Sequence, residues 1–376
     1  MKNNSYTMDG NLDLANLEQI MGMYNQVDPT YLSLLQLVVQ TGKYKENRTG
    51  VRTLGVFGSQ SKYRINLNAF PILTTKKIFF KGIVHELLWF LKGDTNIRYL
   101  VINGVNIWNE WAYETYKKQL KNLCVSEEDT VYSMKDFILR IRDDEEFAKK
   151  YGDLGMGTYG SVWRRFPYYV EDEEGSIKIN AVDQISKVID KLKTNPNDRR
   201  MIVSAWHPYW VDHCALPPCH CLFHFNVEEL TLIERRLEFQ RRHYVFTPQQ
   251  IRDEGLIKKL LESKNIPTHR LNCLLYQRSC DLFLGVPFNI TSYSLLTAMM
   301  AQCVNMLPGT FIHTYGDLHI YENHLPQVKE QLFRSYKHLP QLELNPDIKD
   351  LFKFQYEDIK LKNYDSHPAI KAEIAV

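Results

Sequence analysis

The stretch LPPCHCLF at residues 216–223 puts Cys219, His220 and Cys221 in consecutive positions behind a rigid proline pair, with His213 and Cys214 just upstream. Thiolates and imidazoles at such spacing can ligate a metal ion, a cysteine can pair in a disulfide, and a single thiolate can act as a nucleophile. The residue types alone leave all three chemistries open. A second candidate is Glu86, at the centre of the run IVHELLWFL at residues 83–91. That run is apolar almost all round and predicts a deeply buried helix. An ionised carboxylate in such a place is costly unless it is paired or protonated, so Glu86 is either a satisfied structural acceptor or an acid with a shifted pKa. A third candidate is the pair Arg199 and Arg200 on a helix-to-strand turn, a placement that can meet phosphate although most such pairs are merely solvated.

Composition narrows the class. A chain of 376 residues suits one large domain with insertions, or two domains. With a net charge of +2, anions must be bound by local arginines rather than by a general basic field. The opening MKNNSYTMDGNLDLANLEQ lacks the apolar centre of a signal peptide, and no apolar run reaches the length of a membrane span. The seven cysteines are an odd number, and Cys124, Cys273, Cys280 and Cys303 lie scattered in apolar segments. Reduced thiols and a cytoplasmic protein are the expectation.

The elements that must position these groups follow from the hydrophobic pattern. After a polar lead over residues 1–28, PTYLSLLQLVVQTGKY predicts a helix with Pro29 near its start. ENRTGVRTLGVFGSQSKYRINL turns at Arg48, Thr49 and Gly50 and continues as strand. NAVDQISKVIDKLKTNPNDRR places Val182, Ile185, Val188, Ile189 and Leu192 on one helical stripe, with Asn180 as the expected cap, and MIVSAW follows as a buried strand. CHCLFHFNV alternates, so Cys221, Phe223, Phe225 and Val227 face one way and His220, Leu222, His224 and Asn226 the other. NCLLYQRSCD predicts a further strand, and FNITSYSLLTAMMAQCVNML a long buried helix. The sum is an α+β protein, a single large domain around a mixed β-sheet with surrounding helices.

Two segments read as insertions. Residues 113–150 are charge-rich and helical in pattern. Residues 229–270 contain one expected helix, opened by a capping box of Thr247 and Gln250 with Pro248 as its first residue and followed by Pro267. The cluster of Arg235, Arg236, Arg241 and Arg242 is interleaved with Glu234 and Glu238, which favours a solvated helix over a nucleic-acid contact.

The motifs RTGVRTLGVFG, FPILTTKK, HELLWFLKGDTNIRYL, NIWNEWA, YGDLG, DRRMIVSAW, ALPPCHC, LYQRSCDLFLGVPFNITSY, GDLHIYENH and HPAIKAEIAV resemble, in that order, the thymidylate synthase family. The resemblance implies a catalytic domain over residues 29–376, dimerising through its sheet. It implies reductive methylation of dUMP to dTMP with 5,10-methylenetetrahydrofolate as co-substrate, and no metal. Cys219 would be the nucleophile at C6 of uracil. Arg278 would favour its thiolate and bind the nucleotide phosphate with Arg48 and Ser279, Cys280 and Asp281 would adjoin the nucleotide, and Arg199 and Arg200 would reach in from the partner subunit. Asn289 would read the uracil ring, and His319 and Tyr321 would hold the deoxyribose. Glu86, Tyr159 and His220 would serve proton traffic. Trp108, Trp111, Asp281, Leu284, Gly285 and Phe288 would form the folate pocket, closed by Ala375 and Val376. With a nucleophile in place the metal reading recedes, since strand alternation points Cys219 and His220 to opposite faces and the prolines suit a rigid site better than a zinc turn.

The chain also departs from the family's pattern. GMGTYG is one residue longer just before Tyr159, Val162 and His207 replace the usual glutamine and asparagine, FHFNV is an altered strand, and Phe79 stands where some members have a histidine. These changes gather on the folate side. They leave an alternative in which water captures the methylene intermediate to give 5-hydroxymethyl-dUMP, against which Trp108 and the C-terminal closure weigh by excluding water. A non-catalytic nucleic-acid-binding role is a remote third reading, opposed by the intact set of Cys219, Arg278, Asn289 and Tyr321.

Overall fold

Period-two alternation, with one long apolar helix between two of the runs, builds the frame of the molecule. A computed structural model describes residues 25–122 and 132–373. Its strands are β1 (Lys43–Lys45), β2 (Thr53–Arg64), β3 (Phe166–Glu171), β4 (Ile177–Val182), β5 (Ile202–Ser204), β6 (His220–Glu229), β7 (His269–Asp281), β8 (Leu307–Tyr321), β9 (Gln341–Leu344) and β10 (Ile359–Lys362). Six of them form one sheet in the order β1-β2-β8-β7-β6-β5, while β3 with β4 and β9 with β10 are separate hairpin-like pairs. Only the β7 and β8 pairing in the large sheet is parallel, so it is a mixed sheet, as the sequence suggests.

A parallel pair needs a crossover, and the crossover here is a helix of Gly285–Cys303 that is buried along nearly its whole length. The helices in chain order are α1 (Val27–Thr41), α2 (Phe80–Leu91), α3 (Arg98–Ile102), α4 (Asn109–Asn122), α5 (Met134–Asp143), α6 (Glu145–Tyr151), α7 (Tyr159–Arg164), α8 (Gln184–Thr194), α9 (Leu232–Arg241), α10 (Pro248–Arg252), α11 (Glu254–Ser263), the crossover α12 (Gly285–Cys303) and α13 (Leu325–Leu332). Phe223, Phe225, Leu275 and Phe311 point from the sheet into one core with Leu295, Leu296 and Met299 of α12. Residues 230–268 carry a second small core of Phe239, Phe246, Ile257, Leu261 and Ile266, as a segment inserted between β6 and β7 would need to stay folded.

Four expectations are corrected. The cap of α8 is Asp183, which accepts from Ser186 N, because Asn180 and Val182 belong to strand β4 instead. The helix expected after Thr247 has the capping box and the N-terminal Pro248, but it breaks at Asp253, whose extended backbone and carboxylate cap α11 anew. Ile202 in the strand expected to be buried is 45% exposed, since β5 is the sheet edge. The first helix begins at Val27 and buries Asp28, so those two residues belong to the domain rather than to the polar lead. Residues 1–24 and the expected C-terminal closers Ala375 and Val376 lie outside the described residues. Among the described residues, no helix is long and apolar enough to cross a membrane.

Candidate active site

The chemistry-bearing side chains gather where the start of β6 meets the C-terminal end of β7, beside the N-terminus of α12. Cys219 is tied to β7 by its carbonyl, which accepts from Arg278 N at 2.9 Å. Arg278 in turn clasps the proline pair, with Nε donating to Pro218 O at 2.9 Å and Nη2 to Pro217 O at 2.8 Å. The prolines thus contribute two carbonyls that no N–H of the strand ladder competes for. Tyr159 lies opposite, buried, and its hydroxyl accepts from Cys219 N at 2.8 Å and His220 N at 3.2 Å. The longer GMGTYG run therefore still delivers its tyrosine to the cysteine.

Strand alternation misplaced one of these residues. A bulge between His220 and Leu222 inserts Cys221 as an extra residue, so His220 pairs with Gln277 and Leu222 with Tyr276. One inserted residue reverses the side-chain sense beyond it. His220 consequently packs on Tyr293, the same ring that Phe223 meets, instead of facing out with Leu222 and His224. Its Nδ1 is 3.2 Å from the Tyr293 hydroxyl, and its ring centroid is 5.0 Å from that of Tyr159. The other members of the cluster look elsewhere: Cys221 Sγ donates to Cys219 O, and Cys214 Sγ to Val211 O.

Electrostatics distinguish the groups. Burial raises the Cys219 thiol above its ordinary pKa, and the opposing fields of Arg278 and Arg48 do not offset this in the unliganded protein. Cys219 therefore rests as a thiol rather than a preformed thiolate. Burial pushes His220 down to about 4, against the nearby Asn289 side chain, which raises it without meeting the ring at hydrogen-bond distance, so the imidazole is neutral at pH 7. Burial pushes Glu86 up to about 7, and the indole of Trp108, donating to Oε1 at 2.7 Å, partly offsets it. Glu86 is thus both hydrogen-bonded and poised to exchange a proton near neutrality.

Around this centre, Asn289 presents a buried Oδ1 without a protein partner. Asp281 accepts from Phe283 N and Leu284 N, both at 3.0 Å, which fixes the turn into α12. Gly285 leaves a gap beyond that turn: a Cβ there would stand 3.8 Å from Asp281 Cβ and 3.9 Å from Asn289 Oδ1. Trp108 is buried, and Trp111, Leu284 and Phe288 are half-buried at one side. Arg48 is exposed, lies 5.8 Å over the Trp111 ring and makes no ion pair among the described residues. Ser279 is half-buried beside Arg278. His319 is held through Nδ1 by Asp317 Oδ1 at 3.1 Å, and its ring is 5.4 Å from Tyr321.

Three expected residues are not brought to this point. Cys280 turns its thiol into the core, donating to Gln277 O at 3.2 Å. Arg199 and Arg200 are exposed beyond the far end of β5, where Met201 O accepts from Phe225 N. At roughly 3.3 Å per residue this is about 20 Å along β6 from Cys219. Sequence reasoning also missed Tyr293, although its place four residues after Asn289 puts both on one helix face.

The sequence model described as thymidylate synthase matches residues 29–376. The chain is 47% identical over 348 residues to the thymidylate synthase of Malacoplasma penetrans, covering 92% of this chain and 99% of that one. It is 46% identical over 346 residues to the thymidylate synthase of Mycoplasma pneumoniae, with the same coverage. A match over residues 29–376, with relatives at such identity over 92% of the chain, shows that the chain belongs to the thymidylate synthase family.

Proposed function

We propose that the protein converts dUMP to dTMP by reductive methylation, with 5,10-methylenetetrahydrofolate as the second substrate. The observation that carries this reading is the Tyr159 hydroxyl, which bridges the backbone of Cys219 and His220 and so holds the nucleophile, a neutral imidazole and a phenol side by side. Addition of Cys219 sulfur to C6 of uracil makes C5 an enolate carbon, which turns one difficult substitution into easier steps. Because the resting thiol is protonated, and the charge of Arg278 favours the thiolate, phosphate binding at Arg278 would couple to thiol deprotonation.

Asn289 supports pyrimidine recognition. Its unpartnered Oδ1 would accept from uracil N3–H while its amide nitrogen donates to a ring carbonyl, so binding satisfies a buried group that is otherwise unpaired. Glu86, near neutrality in pKa, exchanges protons with the ring or the second substrate through the cleft. Tyr159 stands beside Cys219 as the acceptor of the C5 proton. His319 and Tyr321 face the sugar, and Arg48, Arg278 and Ser279 the phosphate.

The folate supplies the one-carbon unit and the hydride. The apolar surfaces of Trp108, Trp111, Leu284 and Phe288, with the gap left at Gly285 and the carboxylate of Asp281 at its edge, fit a flat heterocycle stacked beside the nucleotide. The relatives named thymidylate synthase favour the methyl product over 5-hydroxymethyl-dUMP. A dimer formed through the outer face of the sheet would bring Arg199 and Arg200 to the partner's phosphate site. That face carries Phe57, 78% exposed, and Ile202, which suits burial against a second copy.

The direct test is incubation with dUMP and methylenetetrahydrofolate, with mass spectrometry of both products. A methylated nucleotide together with dihydrofolate is expected. A hydroxymethylated nucleotide with tetrahydrofolate retained would overturn the reading.

A further inference from the structure

Beside the phosphate-facing pair of Arg278 and Ser279 lies a buried polar contact that the chemistry above does not use. Gln277, 3% exposed, donates its amide to Ser279 O at 3.0 Å. A carbonyl can only accept, so the amide oxygen of Gln277 must face the other way, where it meets His313 Nε2 at 2.8 Å. Nε2 must therefore carry the proton. His313 sits wholly buried on β8, opposite Leu275 in the parallel register, with ring centroids of Phe311 and Tyr315 at 5.3 and 4.1 Å.

Its other nitrogen, Nδ1, is buried without a partner. A proton there would be an unpaired buried charge, and both burial and the neighbouring His220 hold the pKa well below the ordinary value. His313 is thus a neutral donor of a single fixed tautomer, aimed at one oxygen. A rotating hydroxyl or a flexible amine in its place would not define the Gln277 amide so narrowly.

We infer that His313 is a positioning residue for nucleotide binding: it orients Gln277, which holds the Ser279 carbonyl and so sets the end of β7 that presents Arg278 and Ser279 to phosphate. The inference rests on the assignment of Ser279 and Arg278 to the phosphate given above. A purely structural histidine would share the burial but would leave phosphate affinity alone.

Nitrogen NMR of the intact protein should show His313 neutral, with Nε2 protonated, between about pH 5.5 and 8. An Nδ1–H tautomer, or titration in that window, would overturn the inference without any variant being made. His313→Leu should raise KM for dUMP and the inhibition constant of inorganic phosphate together by about tenfold, with kcat and KM for methylenetetrahydrofolate within about twofold. His313→Gln, whose amide can still donate to Gln277, should recover most of that loss. A fall in kcat with phosphate affinity unchanged would sink the proposal. Ser279→Ala separates the two levels: if it leaves phosphate affinity unchanged, the phosphate assignment fails, and if it weakens phosphate while His313→Leu does not, only the role of His313 fails.

Discussion

The indole Nε1 of Trp108 donates to Glu86 Oε1 at 2.7 Å, joining a wall of the candidate folate pocket to the buried acid. This bond favours the carboxylate and works against burial, which has raised Glu86 to about 7. Trp108→Phe removes the donor, so the pKa must rise further. The inflection in kcat/KM near pH 7 should move upward, with activity lowered by about 10- to 100-fold. An inflection that stays in place in the variant would separate Glu86 from the observed titration.

Linkage gives a second reading of the same group. The folded pKa of Glu86 is raised from about 4.5 to about 7, so the folded state holds a proton that the unfolded state has released. Its favourable contribution is present below about pH 4.5 and is lost as the pH rises through 7. Glu86→Gln keeps the shape without that loss. The variant should gain stability relative to the parent between pH 5 and 8, by about 2 kcal/mol after allowance for the solvent that reaches the carboxylate. Urea melts at the two pH values measure it, and an equal difference at both would show that Glu86 is not raised.

The thiol of Cys219 is raised by burial against the pull of Arg278 and Arg48. Removing a cation should raise it further. Arg278→Leu is therefore expected to slow alkylation of Cys219 by iodoacetamide at pH 8 by several-fold, and added phosphate should cease to affect the rate. Peptide mapping follows the site. Faster alkylation in the variant would mean that the guanidinium shields the sulfur rather than favouring its anion.

Much of this site was legible before the fold was. Glu86 and the cysteine cluster around Cys219 announce themselves through chemistry set in apolar or proline-rich surroundings and the long strands through alternation, whereas Asn289 and the choice of Cys219 within its cluster come only from the family resemblance. What escaped depends on single backbone events. The bulge at Cys221 reverses the side of His220, and no period-two count can register an extra residue. Asp253 splits a helix because an extended residue with a capping carboxylate outweighs a continuous helical pattern. The clasp of Arg278 on Pro217 and Pro218 runs through carbonyls, which sequence does not distinguish from one residue to the next.

The buried, unpartnered Oδ1 of Asn289 predicts how the pyrimidine is chosen. Uracil offers a donor at N3 and cytosine an acceptor, so cytosine would leave Oδ1 facing a lone pair. Asn289→Asp, protonated when facing N3 of cytosine, should weaken dUMP binding and admit dCMP. A swing of about 100-fold in relative kcat/KM is the order expected for one buried hydrogen-bond pair. Competition kinetics with the two nucleotides reads it, and an unchanged preference would remove Asn289 from recognition.

Arg199 and Arg200 lie beyond the start of β5, about 20 Å along β6 from Cys219 in the same chain, so in the proposed dimer they would serve the nucleotide of the second copy. Arg200 is held by Asp198, with Nη2 to Oδ2 at 2.9 Å, while its side chain stays 82% exposed and free to be approached. Two defective proteins should then repair each other. Cys219→Ala spoils its own site but still offers good arginines, whereas a chain carrying Arg199→Glu and Arg200→Glu keeps its cysteine and fails its partner. Mixed in equal amounts under subunit exchange, half of the dimers are hybrids with one intact site each, so about a quarter of wild-type activity should return. Each parent alone should stay inactive. A mixture with no activity, although native mass spectrometry shows hybrids, would confine the arginines to a role away from the partner's site.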